Sequence, residues 1–286
     1  MTRVAICAHY ERPDVIELIE QTMTWLTERG HEGWLLATDG AELGLQHHVG
    51  PLPLAAADIV LCLGGDGTML RAVRTLDGAS VPLLGVNLGQ LGYLTEIEPG
   101  EIIDSLDRFV KGEVNGGWHL DVRLLLHIEV RRGDVDLGQW RALNEVVVEK
   151  HAAGHTISLL ARIDGVPFTR YAADGQIVST PTGSTAYSLS ARGPVVSPRH
   201  RALLLTPVSP HMLFDRTLVL DPTELVEIEV LGHRRAEVAV DGRVVVTLQP
   251  GDTVRCRPAE ETASFVRFGP YRYHQILKSK FGLTDR

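Results

Sequence analysis

The chain has 286 residues, 44% of them hydrophobic and 22% charged, which is the composition of a globular protein with one large domain or two of ordinary size. Its formal net charge of -8 argues against a nucleic-acid partner, and no apolar run is long enough for a membrane span or a signal peptide. The three cysteines fit neither a disulfide framework nor a zinc motif. We therefore expect a cytoplasmic protein that contacts neither nucleic acid nor membrane.

Strand and helix signals alternate in the first part of the chain. Short apolar runs predict strands at residues 3–8, 34–37, 58–63 and 81–86. Apolar residues at helical spacing predict helices at residues 13–29, 68–76 and 101–110. This alternation indicates a parallel sheet covered by helices, and we assign residues 1–118 to this α/β domain.

Short β-forming runs replace this alternation in the second part. They predict strands at residues 124–130, 142–148, 157–163, 218–220, 226–230, 236–240 and 244–248. Turn signals separate several of them, such as Gly133-Asp134, Asp164-Gly165 and Asp241-Gly242. Residues 119–267 are therefore predicted to form an all-β domain, a sandwich. Residues 273–281 are predicted to form a helix, and we expect residues 268–286 to pack back on the first domain.

The most distinctive motif of the first domain is the glycine-rich turn Gly64-Gly65-Asp66-Gly67-Thr68. It joins an apolar strand to a helix, so it lies at the carboxyl edge of the parallel sheet, where ligands bind in open α/β folds. Bare backbone amides and a helix N-terminus favour a phosphate chain there. A second glycine cluster, Asn87 to Gly92, follows the next strand.

The turn matches neither a P-loop, because no Gly-Lys-Ser/Thr follows it, nor a dinucleotide fingerprint. Asp66 is unusual in such a turn because its carboxylate repels phosphate. Two explanations are chemical: a metal ion lies between them, or the carboxylate accepts a proton from an attacking hydroxyl. The alternative is structural, a tight turn in which Asp66 caps the helix.

Two polar motifs stand out in the β-rich part. Asn144 and Glu145 begin a strand, and an amide beside a carboxylate can bracket the hydroxyls of a ribose, although such a dipeptide can also be an ordinary strand entrance. The stretch from Asp174 to Ser190 is rich in hydroxyl side chains and carries Tyr187. We interpret it as a loop leading into a short helix, with donors for phosphates and one aromatic ring for stacking.

These motifs, in this order, resemble those of the NAD kinase family. The likeness runs from about residue 60 to residue 211, and the stretch from Asp174 to Ser190 is its most specific part. It implies a Rossmann-like α/β domain, a β-sandwich domain, and transfer of the terminal phosphoryl group of ATP to the 2′-hydroxyl of the adenosine ribose of NAD, with Mg²⁺ accompanying ATP. It also implies a homodimer or homotetramer.

The resemblance further implies residue roles. Asp66 corresponds to the general base that takes the proton of the ribose hydroxyl. Residues implied to cradle the phosphates of ATP are Gly64, Gly65, Gly67 and Thr68. Residues implied to contact NAD are Asp66, Gly67, Arg71, Asn144, Glu145, His155, Asp174, Thr182, Thr185, Ala186, Tyr187, Ser188, Leu189 and Ser190.

Two other functions remain open from the residues alone. Lipid kinases acting on diacylglycerol or sphingosine share the glycine-rich turn, but their acceptor needs an apolar groove, whereas the stretch from Asp174 to Ser190 is polar. A non-catalytic NAD sensor is the third reading. Asp66 argues against it, because binding alone does not need a base in that turn.

Overall fold

A computed structural model describes residues 1–90, 92–152, 154–270 and 272–283, and these form two compact units. Unit 1 comprises Met1–Val122 and Ala263–Arg286, and unit 2 comprises Arg123–Thr262. In the described part of the chain, no helix is both long enough and apolar enough to cross a bilayer.

The elements are numbered in chain order. The helices are α1 (Val15–Glu28), α2 (Ala37–Leu43), α3 (Asp66–Leu76), α4 (Ile102–Val110), α5 (Glu113–Gly116), α6 (Tyr187–Ser190) and α7 (Tyr273–Lys280). The strands are β1 (Arg3–Ala8), β2 (Glu32–Leu35), β3 (Ile59–Gly64), β4 (Leu83–Asn87), β5 (His119–Arg132), β6 (Val135–Ala142), β7 (Glu145–Lys150), β8 (Ile157–Ile163), β9 (Val166–Ala173), β10 (Gly175–Ser179), β11 (Leu203–Val208), β12 (Leu218–Leu220), β13 (Val226–Leu231), β14 (Ala236–Val240), β15 (Arg243–Leu248) and β16 (Asp252–Arg267).

Unit 1 is built on a parallel sheet. Its strands lie in the order β2-β1-β3-β4, and Phe265 near the end of β16 pairs in parallel with Leu83 of β4. Strand β3 is buried along its whole length, which explains its unbroken apolar sequence. Helix α1 buries Val15, Ile19 and Leu26 against the sheet, at the spacing that places one face inward.

Unit 2 is a β-sandwich. One sheet has the antiparallel order β12-β11-β10-β7-β14-β15, and the other contains β6-β5 and β16-β13-β8-β9. Alternate residues of both sheets form one apolar core, for example Leu126 of β5, Val146 of β7 and Ile228 of β13. The predicted fold class, an α/β domain followed by a β-sandwich, is confirmed.

Hairpin turns in unit 2 follow the predicted dipeptides. Asp164 and Gly165 join β8 to β9 with φ of 51° and 76°, and Asp241 and Gly242 join β14 to β15 with φ of 44° and 78°. Two successive positive φ angles are what a type I′ turn requires, and they match the twist of the strands. Gly133-Asp134 joins β5 to β6 with a positive φ, 56°, at Gly133 but not at Asp134.

Some boundaries differ from the predicted ones. The strand predicted at 34–37 lies at Glu32–Leu35, and a helix that was not predicted begins at Ala37. Only the last two residues of β2 are buried, so its apolar pattern was too short to position the strand. Strands β6, β9, β10, β11 and β16 also escaped prediction.

The stretch from Asp174 to Ser190 is not one loop, which corrects our interpretation. Gly175–Ser179 is a fully buried strand, β10, paired on one side with β7 and on the other with β11. Only residues 180–186 connect it to α6, and four of them form a 3-10 turn, Thr182–Thr185. This central strand was not predicted because Gln176 and Ser179 interrupt its apolar pattern. Both side chains are completely buried despite their polarity.

Candidate active site

The glycine-rich turn of unit 1 borders a cavity of about 360 Å³. Gly65, Gly67, Thr68 and Arg71 line it, together with the segment His9–Glu11 that follows β1. A Cβ added to Gly65 or Gly67 would meet nothing within 4 Å, so these glycines leave bare backbone facing open space. The turn therefore offers main-chain amides at the N-terminus of α3, the arrangement that binds phosphate.

Asp66 is the first residue of α3, but its carboxylate does not cap that helix. It accepts hydrogen bonds from the backbone N–H groups of Tyr93 and Leu94, at 2.9 and 3.0 Å. The helix-cap alternative is thereby excluded. Both carboxylate oxygens are fixed in direction by the segment that follows the second glycine cluster.

Gly92 is needed for this contact. A Cβ at position 92 would lie 2.9 Å from Cγ of Asp66, closer than real Cβ atoms approach other atoms. Gly92, the last residue of the second glycine cluster, therefore lets the chain pass close to the Asp66 carboxylate. Asn87, at the start of that cluster, donates to Glu98 at 3.0 Å and accepts from the N–H of Gly89.

Arg267 supports the same segment from the end of β16. Its guanidinium donates to the backbone carbonyls of Leu94 and Thr95, each at 3.1 Å, and pairs with Glu96 and Asp121. Leu94 thus accepts a hydrogen bond from Arg267 and donates one to Asp66. The sequence does not identify Arg267 as part of this site, because nothing in its local pattern links residue 267 to residue 94.

Arg71 lines the cavity one turn into α3, with its guanidinium held by buried groups. It forms a bidentate ion pair with Asp39 of α2 and donates to the carbonyl of Ala8. Asp39 is completely buried and also accepts the N–H of Ala8 at 2.8 Å. Tyr10 lies over the same guanidinium, 5.5 Å from ring centre to Cζ. The Arg71 guanidinium is therefore held in place at the cavity wall, with Asp39 as its counter-charge.

In unit 2, Asn144 and Glu145 stand at the start of β7. The carboxylate of Asp241, in the hairpin between β14 and β15, accepts the backbone N–H groups of Leu143, Asn144 and Glu145 at 2.8 to 3.1 Å. Gly183 approaches from the other side, and a Cβ there would lie 2.8 Å from Cα of Asn144. The Asn144-Glu145 pair and the stretch from Asp174 to Ser190 are thus brought together.

Glu145 is the most perturbed carboxylate of this region. Its side chain is buried, and burial together with the nearby Asp241 charge raises its pKa to about 8, although the backbone N–H of Tyr187 donates to it. Among the described side chains, Glu145 Oε2 and Ser179 Oγ are buried polar atoms with no hydrogen-bond partner. The two residues are directly paired across β7 and β10. Unpaired buried polar atoms that share a sheet face are suited to a polar ligand.

Tyr187, at the start of α6, is 39% exposed. Partial burial and the charges of Glu149 and Asp174 raise the pKa of its hydroxyl. Asp174 forms an ion pair with Lys150, 2.6 Å from Nζ to Oδ1. The aromatic ring is therefore available to stack, beside a cluster of charged groups.

Most hydroxyl groups of the segment 180–190 are used within unit 2 itself. Thr180 donates to the carbonyl of Leu143, Ser184 to that of Val196, and Thr185 to that of Thr182. Ser188 is completely buried and shares a hydrogen bond with Thr206. These contacts fix the shape of the segment. Thr182 is also buried, and its hydroxyl accepts a hydrogen bond from Arg123 at 3.4 Å. Ser190 is exposed, and Ala186 and Leu189 are half-buried.

His155 lies in the connection between β7 and β8 and is exposed. No contact of its side chain ties it to the groups around Glu145, so its predicted role rests on sequence alone.

Comparison with known proteins places both units in one family. Residues 4–114 match the model of the ATP-NAD kinase N-terminal domain, and residues 143–268 match that of the ATP-NAD kinase C-terminal domain. The chain belongs to the NAD kinase family. The order of glycine turn, Asn-Glu pair and hydroxyl-rich segment had indicated this family.

Individual relatives agree along the full length. The chain is 37% identical to an NAD kinase of Syntrophotalea carbinolica, with all of both chains covered, and 37% identical to one of Heliobacterium modesticaldum over 98% of both. Two solved structures are similar at 25% identity. Yeast NADH kinase complexed with NADH superposes with a TM-score of 0.87 over 100% of this chain and 89% of its own. An NAD kinase from Archaeoglobus fulgidus in complex with ATP superposes with a TM-score of 0.72 over 99% of this chain and 100% of its own.

Proposed function

We propose that this enzyme is an NAD kinase, which transfers the terminal phosphoryl group of ATP to the 2′-hydroxyl of the adenosine ribose of NAD, giving NADP and ADP. The observation that carries the proposal is the cavity at the Gly64–Thr68 turn, bordered by bare amides, in a chain of the NAD kinase family. NAD and ATP are its small-molecule substrates.

In this proposal the triphosphate lies on the amides of residues 64–68. Gly65 and Gly67 let phosphate oxygens approach the backbone, and the N-terminus of α3 supplies a positive partial charge. Arg71 lines the same wall, in an ion pair with Asp39 that offsets its charge. The backbone amides can therefore attract phosphate despite the acidic net charge of the chain.

Asp66 is the proposed general base. A carboxylate oxygen receives the proton of the ribose 2′-hydroxyl as the oxygen attacks the terminal phosphorus, and ADP leaves with the electron pair of the broken P–O bond. The N–H groups of Tyr93 and Leu94 hold the carboxylate in one orientation and leave each oxygen a second lone pair. Because the base is fixed before substrate binds, no free energy is spent on ordering it.

The side chains at the cavity suit the Mg²⁺ that accompanies ATP. Glu11 lines the cavity, and carboxylate oxygens are the ligands that Mg²⁺ takes alongside phosphate. When bound, the ion would neutralise charge on the phosphate oxygens. We propose that Glu11 would supply one of its ligands.

Unit 2 is proposed to hold NAD. Asn144 and Glu145 bracket ribose hydroxyls, and the unpaired Glu145 Oε2 is suited to accept or donate a hydrogen bond to one of them. Tyr187 provides a ring for stacking, and Asp174 and His155 provide polar contacts. The remaining contacts are assigned to residues 182, 185, 186, 189 and 190. Ser188, which is completely buried, holds the shape of this segment instead. We also propose that the enzyme is a homodimer or homotetramer.

A direct assay tests the function. The purified protein is mixed with NAD and Mg²⁺-ATP, and NADP is measured with an NADP-specific dehydrogenase. We expect NADP to form, and to form at least about a hundred-fold more slowly with Asp66→Asn. Diacylglycerol and sphingosine replace NAD in parallel reactions. Phosphorylation of a lipid without NADP would support a lipid kinase, and NAD binding without turnover would support a sensor.

A further inference from the structure

A second group of ligand-forming side chains lies in unit 1, between α1 and a 3-10 turn, Gln46–His48. His48 Nε2 lies 2.9 Å from Oε2 of Glu20, and His47 Nε2 lies 3.4 Å from Oε1 of the same carboxylate. The three ligand atoms all lie within 4.8 Å of one another. Within the described ranges of the chain, no other group of three His, Cys, Asp or Glu side chains is this close.

The local structure holds this group in place. Glu20 projects from α1, whose buried residues Ile19 and Met23 anchor the helix to the sheet. Directly after the 3-10 turn, Val49 forms a β-bridge with Leu35, and a Cβ at Gly50 would lie 2.8 Å from Cγ of Trp34. Both parts of the group therefore stand on backbone that the core of unit 1 fixes, as a preformed site requires.

The geometry goes beyond that of an ordinary ion pair. An exposed pair of one histidine and one glutamate adds about 0–1 kcal/mol of stability. Here two imidazoles, with ring centres 4.1 Å apart, aim their Nε2 atoms at the two oxygens of one carboxylate. In a tetrahedral site with bonds of about 2.0–2.1 Å, ligand atoms are about 3.3–3.5 Å apart. The 3.4 Å between His47 Nε2 and Glu20 Oε1 matches that spacing, and the 2.9 Å between His48 Nε2 and Glu20 Oε2 is that of a hydrogen bond which the ion would replace.

The donor set selects the kind of ion. Two histidines and one glutamate are a known ligand set for Zn²⁺, and imidazole also suits Cu²⁺ and Ni²⁺, whereas Mg²⁺ prefers oxygen ligands and retains its water. We propose that Glu20, His47 and His48 bind one divalent transition cation, such as Zn²⁺, at a site separate from the Mg²⁺-ATP chemistry.

A neighbouring cavity leaves room for a further ligand. It has a volume of about 440 Å³, and both histidines line it together with Thr24, Thr27 and Glu28. His48 is 17% exposed, His47 62% and Glu20 45%, so an ion reaches the three side chains from solvent. Three protein ligands beside an open volume leave a coordination position for water or for a small anionic ligand.

The test is direct cation binding to the full, untagged chain after treatment with a chelator. Titration calorimetry with ZnCl₂ is expected to show one tight Zn²⁺ per chain, and the same titration with MgCl₂ no binding that competes with it. His47→Ala, His48→Ala and Glu20→Gln each remove one ligand. Loss of an outer-shell partner alone costs about 10–100-fold in metal affinity, so each variant should lose at least that much.

His151→Ala is the matched control, because His151 forms an exposed pair with Glu237, 2.6 Å apart, without a second imidazole. It should keep the wild-type Zn²⁺ affinity. Circular dichroism shows whether each variant is folded. If His48→Ala does not fold, the test rests on His47→Ala, which changes the most exposed of the three side chains. No tight Zn²⁺ binding by the wild type, or equal affinity in the wild type and the folded ligand variants, would overturn the proposal.

Discussion

The two carboxylates central to the proposed reaction are held in opposite ways. Asp66 accepts two backbone N–H groups and stands half-exposed at a cavity, whereas Glu145 is buried, has an unpaired oxygen and has its pKa raised to about 8. The two donors fix the direction of the Asp66 oxygens, as a positioned general base requires. A buried carboxyl near a second carboxylate keeps its own proton at neutral pH. The same functional group is thus adapted to proton transfer in unit 1 and to hydrogen bonding in unit 2.

The raised pKa of Glu145 bears on how the enzyme would reject its product NADP. An ionised carboxylate at this position would repel a 2′-phosphate. With a pKa of about 8, the free enzyme carries that charge mainly above pH 8. At neutral pH the carboxyl acts mostly as a neutral partner for a ribose hydroxyl, so shape and hydrogen bonding would carry the discrimination.

The largest expected effect is the loss of kcat when the Asp66 carboxylate is removed. In Asp66→Asn the amide cannot accept the hydroxyl proton, and its NH₂ group faces a backbone N–H of Tyr93 or Leu94. We expect kcat to fall by about a hundred- to ten-thousand-fold. Asp104→Asn, an exposed change on α4, is the control. Near-normal kcat in Asp66→Asn, measured as NADP formed per enzyme, would remove Asp66 from the mechanism.

The second prediction concerns Glu145 and the dependence of stability on pH. Its pKa is about 8 in the folded chain against 4.5 unfolded, so folding takes up a proton between these values. The stability that this group contributes is complete below pH 4.5 and is lost as the pH rises through 8, by up to about 1.4 kcal/mol per unit.

Glu145→Gln removes this titration, so the free energy of unfolding of the variant relative to wild type should rise from pH 5 to pH 8. Urea unfolding of both proteins at several pH values measures it. Parallel curves would contradict a raised pKa. We also expect Glu145→Gln to impair the use of NAD and, above pH 8, to reduce discrimination against NADP, measured as the NADP inhibition constant.

A third change tests how Asp66 is fixed. Gly92→Ala places a methyl group against the Asp66 carboxylate, so either the side chain or the segment 93–94 must move. Overpacking of this kind costs about 1–3 kcal/mol of stability, and kcat should fall because the base is displaced. In the same cluster, Gly89→Ala meets only Arg12 at 3.6 Å and is the matched control. If the two variants had equal kcat and melting temperature, the Asp66 contact would not need Gly92.

The smallest expected effect concerns Tyr187. Removing its ring in Tyr187→Ala should raise the KM for NAD more than that for ATP, since stacking adds about 0.5–1.5 kcal/mol beyond burial of its area. The comparison of the two KM values in one preparation is its own control. A rise for ATP alone would reverse the proposed assignment of substrates to the two units.

The sequence by itself determined the class of fold, the hairpin turns and the glycine-rich turn, because these depend on residues close together in the chain. Strand Arg3–Ala8 and the turn Asp164-Gly165 are set by local apolar pattern and by positive φ. The family, too, followed from motifs that are short and contiguous.

Only the tertiary structure decided which groups fix the proposed site residues. Asp66 is oriented by residues 93 and 94, Arg71 by Asp39, and Asn144 by Asp241, across separations of 27 to 97 residues. No local pattern encodes such pairings, because hydrogen bonds depend on where folding brings each donor. The same holds for β10, whose buried polar side chains gave it the composition of a loop, and for Glu145, whose pKa is set by burial and by a carboxylate from another hairpin.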